Sequence, residues 1–238
     1  MKNKDKVNKN DNVLNKKSIV IIILMGLIII GLIVNNFLLL NKKETTVIEK
    51  CDYYNFEVGK NENIVFLGDS ITELYQTKEL FAGLPVVNSG FGGYTTKNIL
   101  DIMNDAVYRY NPTKVFLLIG TNDIGNEGKD EEYVFENTKK IVEEINKNRP
   151  NAKVYVESIY PVGDEVEGYE ERNKTTNSIN LKLKDYFSNK ETTFIDISNY
   201  LKDSDGRLKD DYTKDGIHLT DKAYLAITKL LFPYIYNN

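Results

Sequence analysis

From Asn63 onward, apolar runs of strand length alternate with longer stretches in which apolar residues recur every three or four positions. The short runs are 63–67 (NIVFL), 85–88 (PVVN), 114–119 (KVFLLI), 153–159 (KVYVESI) and 192–197 (TTFIDI). Helical patterns lie near 71–80, 95–109, 131–148, 170–188 and 220–234. Within 95–109, Ile99, Ile102, Met103 and Ala106 form one apolar face. This alternation predicts an α/β domain over residues 62–238, a three-layer α/β/α sandwich around a five-stranded, mainly parallel sheet. In such sheets ligands bind beyond the carboxyl ends of the strands, so informative residues are expected directly after them.

The N-terminus follows a different pattern. Residues 18–34 carry no charge, and apolar character resumes after Asn35 and Asn36 through Leu40. A helix over 18–40 would be about 34 Å long, enough for a bilayer core. A transmembrane helix is therefore expected there. A cleaved signal peptide fits less well, because the exit LLLNKKETT has no small-x-small site. Six lysines precede the span, at 2, 4, 6, 9, 16 and 17, which assigns the basic tail 1–17 to the cytoplasm and the C-terminal domain to the outside. Residues 41–61 are polar and without period, and read as a linker.

Charge divides along the same line. Residues 1–17 carry a net +4, so with a total of −4 the rest of the chain carries −8. An acidic exported domain argues against nucleic acid as a partner and against docking on anionic lipid. Cys51 is the only cysteine, which excludes an intramolecular disulfide and a cysteine-based metal site; it reads as an inert thiol in the linker.

Four polar or glycine-rich segments stand where the α/β layout places a site. Gly68-Asp69-Ser70 follows the first strand, Asn88-Ser89-Gly90-Phe91-Gly92-Gly93 the second, and Gly120-Thr121-Asn122-Asp123 the third. Asp215-Gly216-Ile217-His218 lies in a late loop. Taken singly, each has a structural reading: a helix cap at Asp69 and Ser70, a turn at the glycines, an Asx-turn at Asn122, a surface histidine before Thr220. In this order they resemble the signature of the SGNH hydrolases, or GDSL-type esterases, over about residues 62–234.

The resemblance implies a flavodoxin-like SGNH fold and a serine esterase that needs no metal or organic cofactor. It makes Ser70 the nucleophile, His218 the general base and Asp215 the residue that orients the imidazole. It makes the Ser70 amide, the Gly93 amide and the Asn122 side chain the oxyanion hole. Gly90 and Gly92 are then expected to let the loop pass close by, and Asp123 to be structural. Composition adds an independent constraint. Imidazole is the side chain suited to general-base work near neutrality, and His218 is the only histidine.

Tyr94 follows Gly93 where many members of that family have Asp, and its ring is a candidate lining for the acyl or alcohol pocket. The acidic segments 128–132 and 163–171 read as solvated loops and helix starts rather than metal sites. No stretch is long enough for a large lid, so an open site for short acyl groups is expected. The resemblance and the location together point to a membrane-anchored, extracytoplasmic esterase acting on a small-molecule or glycan ester, such as an acetylated cell-envelope glycan. The alternatives are an O-acyltransferase using the same site, a non-catalytic binding module, and a lipase acting on the bilayer.

Overall fold

In this computed structural model the structure describes residues 63–236, together with 24–25, 28–32 and 34–35 near the N-terminus. The chain divides into two compact units, Met1–Thr46 and Val47–Asn238. In the first unit the described residues are helical and their apolar side chains are exposed. Among the described residues no helix is long and apolar enough to cross a membrane. The basic tail 1–17, the linker 41–61, Cys51 and most of the expected span 18–40 lie outside the described residues.

The second unit is the expected α/β sandwich. Its strands are β1 (Asn63–Gly68), β2 (Val86–Gly90), β3 (Pro112–Leu118), β4 (Lys153–Glu157) and β5 (Thr193–Ile195). They form one sheet in the order β2-β1-β3-β4-β5, parallel at every pairing. The helices are α1 (Ser70–Glu73), α2 (Thr77–Leu80), α3 (Thr96–Asp101), α4 (Met103–Ala106), α5 (Thr121–Gly125), α6 (Glu131–Asn148), α7 (Tyr169–Phe187), α8 (Ser198–Leu201) and α9 (Asp221–Tyr236).

Strand residues alternate between two cores, as a sheet covered on both faces requires. Val65, Leu67, Val87, Val115, Leu117 and Val156 pack with Ile99 of α3, Ile141 and Ile145 of α6 and Ile179 and Leu183 of α7. On the other face, Ile64, Phe66, Val86, Phe116 and Tyr155 pack with Ile71 of α1 and with Ala223, Ile227 and Leu231 of α9. Here a ladder of stacked rings runs across three strands, Phe66 on Phe116 at 4.9 Å and Phe116 on Tyr155 at 4.7 Å between centroids.

Two expected helices are broken. The stretch 71–80 divides into α1 and α2, and the turn between them directs Tyr75 into the core, edge-on to Phe66 at 5.6 Å and to Phe81 at 5.8 Å. The stretch 95–109 divides at Ile102, whose φ of −117° and ψ of 14° leave helical geometry. The order of strands places the chain reversal between β1 and β3, and the loops after these two strands flank the resulting crevice.

Candidate active site

Ser70 is the first residue of α1, with Asp69 as its N-cap, and the Asp69 carboxylate accepts the Ile71 N–H at 2.9 Å. The capping role and the placement of the serine are thus one piece of structure. Capping leaves the serine at the helix start, where an amide has no intrahelical acceptor. Desolvation pushes the buried Asp69 carboxyl up to about 7, against the opposing pull of the Ile71 amide and of His218.

The late loop brings the histidine back to that serine. Ser70 Oγ lies 3.0 Å from His218 Nε2, and His218 Nδ1 lies 2.6 Å from Asp215 Oδ2. The other Asp215 oxygen accepts the backbone N–H groups of Ile217 at 2.9 Å and His218 at 2.7 Å. Partial burial raises the Asp215 carboxyl, but the bonds from the His218 ring and the two amides outweigh it and hold the group down at about 2. An ionised carboxylate only accepts hydrogen bonds. Nδ1 is therefore the donor to Asp215, and in the neutral form of the ring this leaves Nε2 facing the Ser70 hydroxyl as acceptor. Thr213 steadies the loop, its hydroxyl donating to the His218 carbonyl at 2.9 Å.

The glycine-rich and GTND segments meet beside this line. Asn122 stands in α5, a single turn after β3, and is 9 % exposed. Its Nδ2 donates to the Tyr94 carbonyl at 2.9 Å, and its Oδ1 accepts from Asn126 at 3.0 Å. These bonds fix the orientation of the amide and leave its second N–H for another acceptor. Gly93 is exposed with a φ of +74°, a region that disfavours other residues. Gly90 meets the expectation of close approach: a Cβ there would lie 2.1 Å from the Glu73 nitrogen and 2.5 Å from the Thr72 carbonyl carbon. At Gly92 a Cβ would meet the Glu73 carboxylate at 2.7 Å.

Asp123 is fully buried and holds the two segments together. Its carboxylate accepts the Thr96 amide at 2.9 Å and the Thr96 hydroxyl at 2.5 Å, so it serves the start of α3 rather than a reacting group.

Tyr94 departs from the expectation of a pocket lining. It is buried and stacks on Phe91 at 5.1 Å between centroids, because the tight turn from Phe91 to Tyr94 folds both rings into the core. The acidic segments carry ion pairs, Glu131 and Glu132 with Lys182 at 2.8 and 2.9 Å and Asp164 with Arg207. The site is open: the His218 side chain is 39 % and that of Asp215 52 % exposed.

For two buried side chains that touch the Ser70 turn the sequence gives no partner, although Asn88 opens the glycine-rich segment. Asn88 reads there as the polar end of a strand and Tyr224 as a core aromatic. Asn88 donates to the carbonyls of Thr72 and Tyr75, and the Tyr224 hydroxyl donates to that of Ile71.

The profile of the GDSL-like Lipase/Acylhydrolase family matches residues 66–226. The alpha2 subunit of platelet-activating factor acetylhydrolase IB from Rattus norvegicus is 29% identical over 181 residues, which are 74% of this chain and 77% of that protein. Among solved structures, a candidate platelet activating factor from Streptococcus pneumonia superposes with a TM-score of 0.75 at 30% identity, covering 87% of this chain and 99% of that one. A GDSL-like lipase from Bacteroides thetaiotaomicron gives a TM-score of 0.71 at 22% identity, over 79% of this chain and 96% of that one.

Proposed function

Because the chain belongs to the GDSL-like lipase/acylhydrolase family, and is thus an ester-hydrolysing enzyme, we propose that Ser70, His218 and Asp215 carry its reaction. His218 Nε2 takes the proton from Ser70 as Oγ attacks the ester carbonyl. Asp215 holds the ring in the tautomer that leaves Nε2 free and stabilises the imidazolium that forms. The oxyanion is bound by the amides of Ser70 and Gly93 and by the remaining Nδ2–H of Asn122. His218 then returns the proton to the leaving alcohol. Water, deprotonated by the same nitrogen, releases the acid from the acyl-enzyme. The observation that carries this reading is the continuous line from Asp215 through His218 to Ser70, with contacts of 2.6 and 3.0 Å.

The substrate in this reading is a short-chain ester, with an acetyl group on a cell-envelope glycan as the preferred case. The exposed His218 and Asp215 side chains suit a bulky alcohol part, and the rat relative is named as an acetylhydrolase. In this reading residues 18–40 anchor the enzyme in the membrane with the catalytic domain outside. The described residues of that stretch support it, since Leu24, Ile28, Ile29, Ile30 and Leu32 are helical and more than half exposed. Apolar side chains in that state suit a lipid environment.

The test is hydrolysis of p-nitrophenyl esters of increasing chain length by the full chain, followed by acetate release from an O-acetylated glycan. Rapid turnover of acetate with a fall toward longer acyl chains supports the reading. A preference for long chains, or no turnover of any ester, overturns it. Protease digestion of intact cells, which should remove the domain after residue 62, tests the orientation.

A further inference from the structure

The helix that carries Ser70 is one turn long, and a single turn in water does not hold its own shape. Ser70 C=O accepts the Leu74 N–H within the turn at 3.0 Å, and the carbonyls that follow take partners from outside it. Ile71 C=O receives the Tyr224 hydroxyl at 2.7 Å. Thr72 C=O and, just past the helix, Tyr75 C=O receive the Asn88 carboxamide at 2.8 and 2.9 Å. The Asn88 Oδ1 in turn accepts the Gly90 N–H at 3.0 Å. Asn88 and Tyr224 are both buried, so these bonds are made out of water, where a lost partner is costly. The Tyr224 ring also stacks on Tyr75 at 5.0 Å, and the Tyr75 hydroxyl is bonded to Thr228 at 2.7 Å.

Each of these two side chains belongs to an element that adjoins another part of the site along the chain. Tyr224 lies on α9, which begins at Asp221, three residues after His218. Asn88 lies on β2, which runs into the loop that holds Gly93. The serine turn is therefore tied on one side to the element that follows the histidine and on the other to the strand that leads to the glycine.

We infer that Tyr224 and Asn88 are positioning residues, whose hydrogen bonds to the carbonyls of the Ser70 turn set the contact of Ser70 with His218 and its register against Gly93. This rests on the proposal that Ser70 is the nucleophile. Neither side chain touches the reacting atoms. Both act by fixing where the Ser70 backbone stands, and small misplacements of a reacting group lower turnover steeply.

The test uses the full chain with Tyr224→Phe, which keeps the stacked ring and removes one oxygen, and Asn88→Ser. The measurements are melting temperature, kcat and KM for p-nitrophenyl acetate, and the rate at which a fluorophosphonate labels Ser70, all well below melting. We expect kcat and the labelling rate to fall together by about ten- to a hundredfold, with KM within about twofold of wild type. The comparison is Thr138→Val on α6, which removes an equally buried hydroxyl bonded to Val134 C=O and should lower the melting temperature without changing kcat. If Tyr224→Phe and Asn88→Ser melt lower yet keep wild-type kcat and labelling, the bonds are ordinary core bonds and the inference is wrong. Should Tyr224→Phe not fold, Asn88→Ser carries the same two outcomes. Ser70→Ala separates the two levels. An active Ser70→Ala variant overturns the nucleophile itself, whereas an inactive one beside a fully active Tyr224→Phe overturns only the positioning role.

Discussion

Ser70 Oγ and His218 Nε2 stand 3.0 Å apart although 148 positions separate them in the chain. Two local structures make the contact possible. Asp69 caps a one-turn helix that presents the serine, and the bonds that the amides of Ile217 and His218 donate to Asp215 fold the late loop so that the imidazole faces it. The contact itself is tertiary: it exists because α1 and α9 share the core on one face of the sheet.

Replacing either partner should remove the reaction and spare the fold. For Ser70→Ala and for His218→Ala, kcat on p-nitrophenyl acetate is expected to fall by about four to six orders of magnitude, and the double variant should be no worse than either alone. Neither side chain is part of the two cores, so the melting temperature should move little. Steady-state kinetics beside thermal melts check this. Residual activity near wild type in the histidine variant would remove the general base from the mechanism, since the chain has no second imidazole.

Asn122→Ala should act on turnover rather than on binding. Losing one oxyanion donor costs about 10²–10³ in kcat, with KM close to wild type. The variant also loses the bond to the Tyr94 carbonyl, so a small fall in melting temperature should accompany it. A change confined to KM would place Asn122 outside the oxyanion hole.

Gly90→Ala tests the close approach of the glycine loop to the serine turn. The new Cβ would fall 2.1 Å from the Glu73 nitrogen, and backbone cannot give way there as a flexible side chain does. The expected cost is about 1–3 kcal/mol of stability, together with a loss of kcat as the turn is pushed from its place. Chemical denaturation and kinetics read the two effects separately. A variant with wild-type values for both would mean that the loop relaxes freely.

The pH dependence of stability should carry the mark of Glu157. Desolvation pushes its carboxyl from 4.5 to about 7, and the bond from the Tyr160 hydroxyl offsets only part of that rise. Between these two values the folded chain holds a proton that the unfolded chain has lost, so stability falls as pH rises through the window. The cost is absent below the ordinary glutamate range and complete above about 7. Glu157→Gln removes it. The variant should gain on wild type from pH 5 to pH 8, by an amount on the order of 1–3 kcal/mol. Asp69, raised to about 7 in the same direction, keeps part of the slope in both proteins. Wild-type and Glu157→Gln melting curves that shift in parallel with pH would show that Glu157 takes up no proton on folding.

The pattern of apolar positions by itself determined the α/β class, the five strands and the longest helices. The expected helix over 131–148 matches α6 from end to end, because Asp130 caps it locally and Val134, Thr138, Ile141, Val142 and Ile145 mark its buried stripe. The three segments at the strand ends and the one in the late loop were equally legible, since glycines, caps and a lone histidine are local chemistry that short-range spacing records. Tertiary structure decided the rest. Nothing local distinguishes Tyr94, turned into the core by a tight turn, from an aromatic lining a pocket, and nothing local breaks 95–109 at Ile102. Asn88 and Tyr224 look like a strand end and a core aromatic until the Ser70 turn arrives between them. The physical reason is the same in each case. Propensity and periodicity act over a few residues, whereas the partner that satisfies a buried carbonyl or covers a ring can come from any part of the chain, and packing alone selects it.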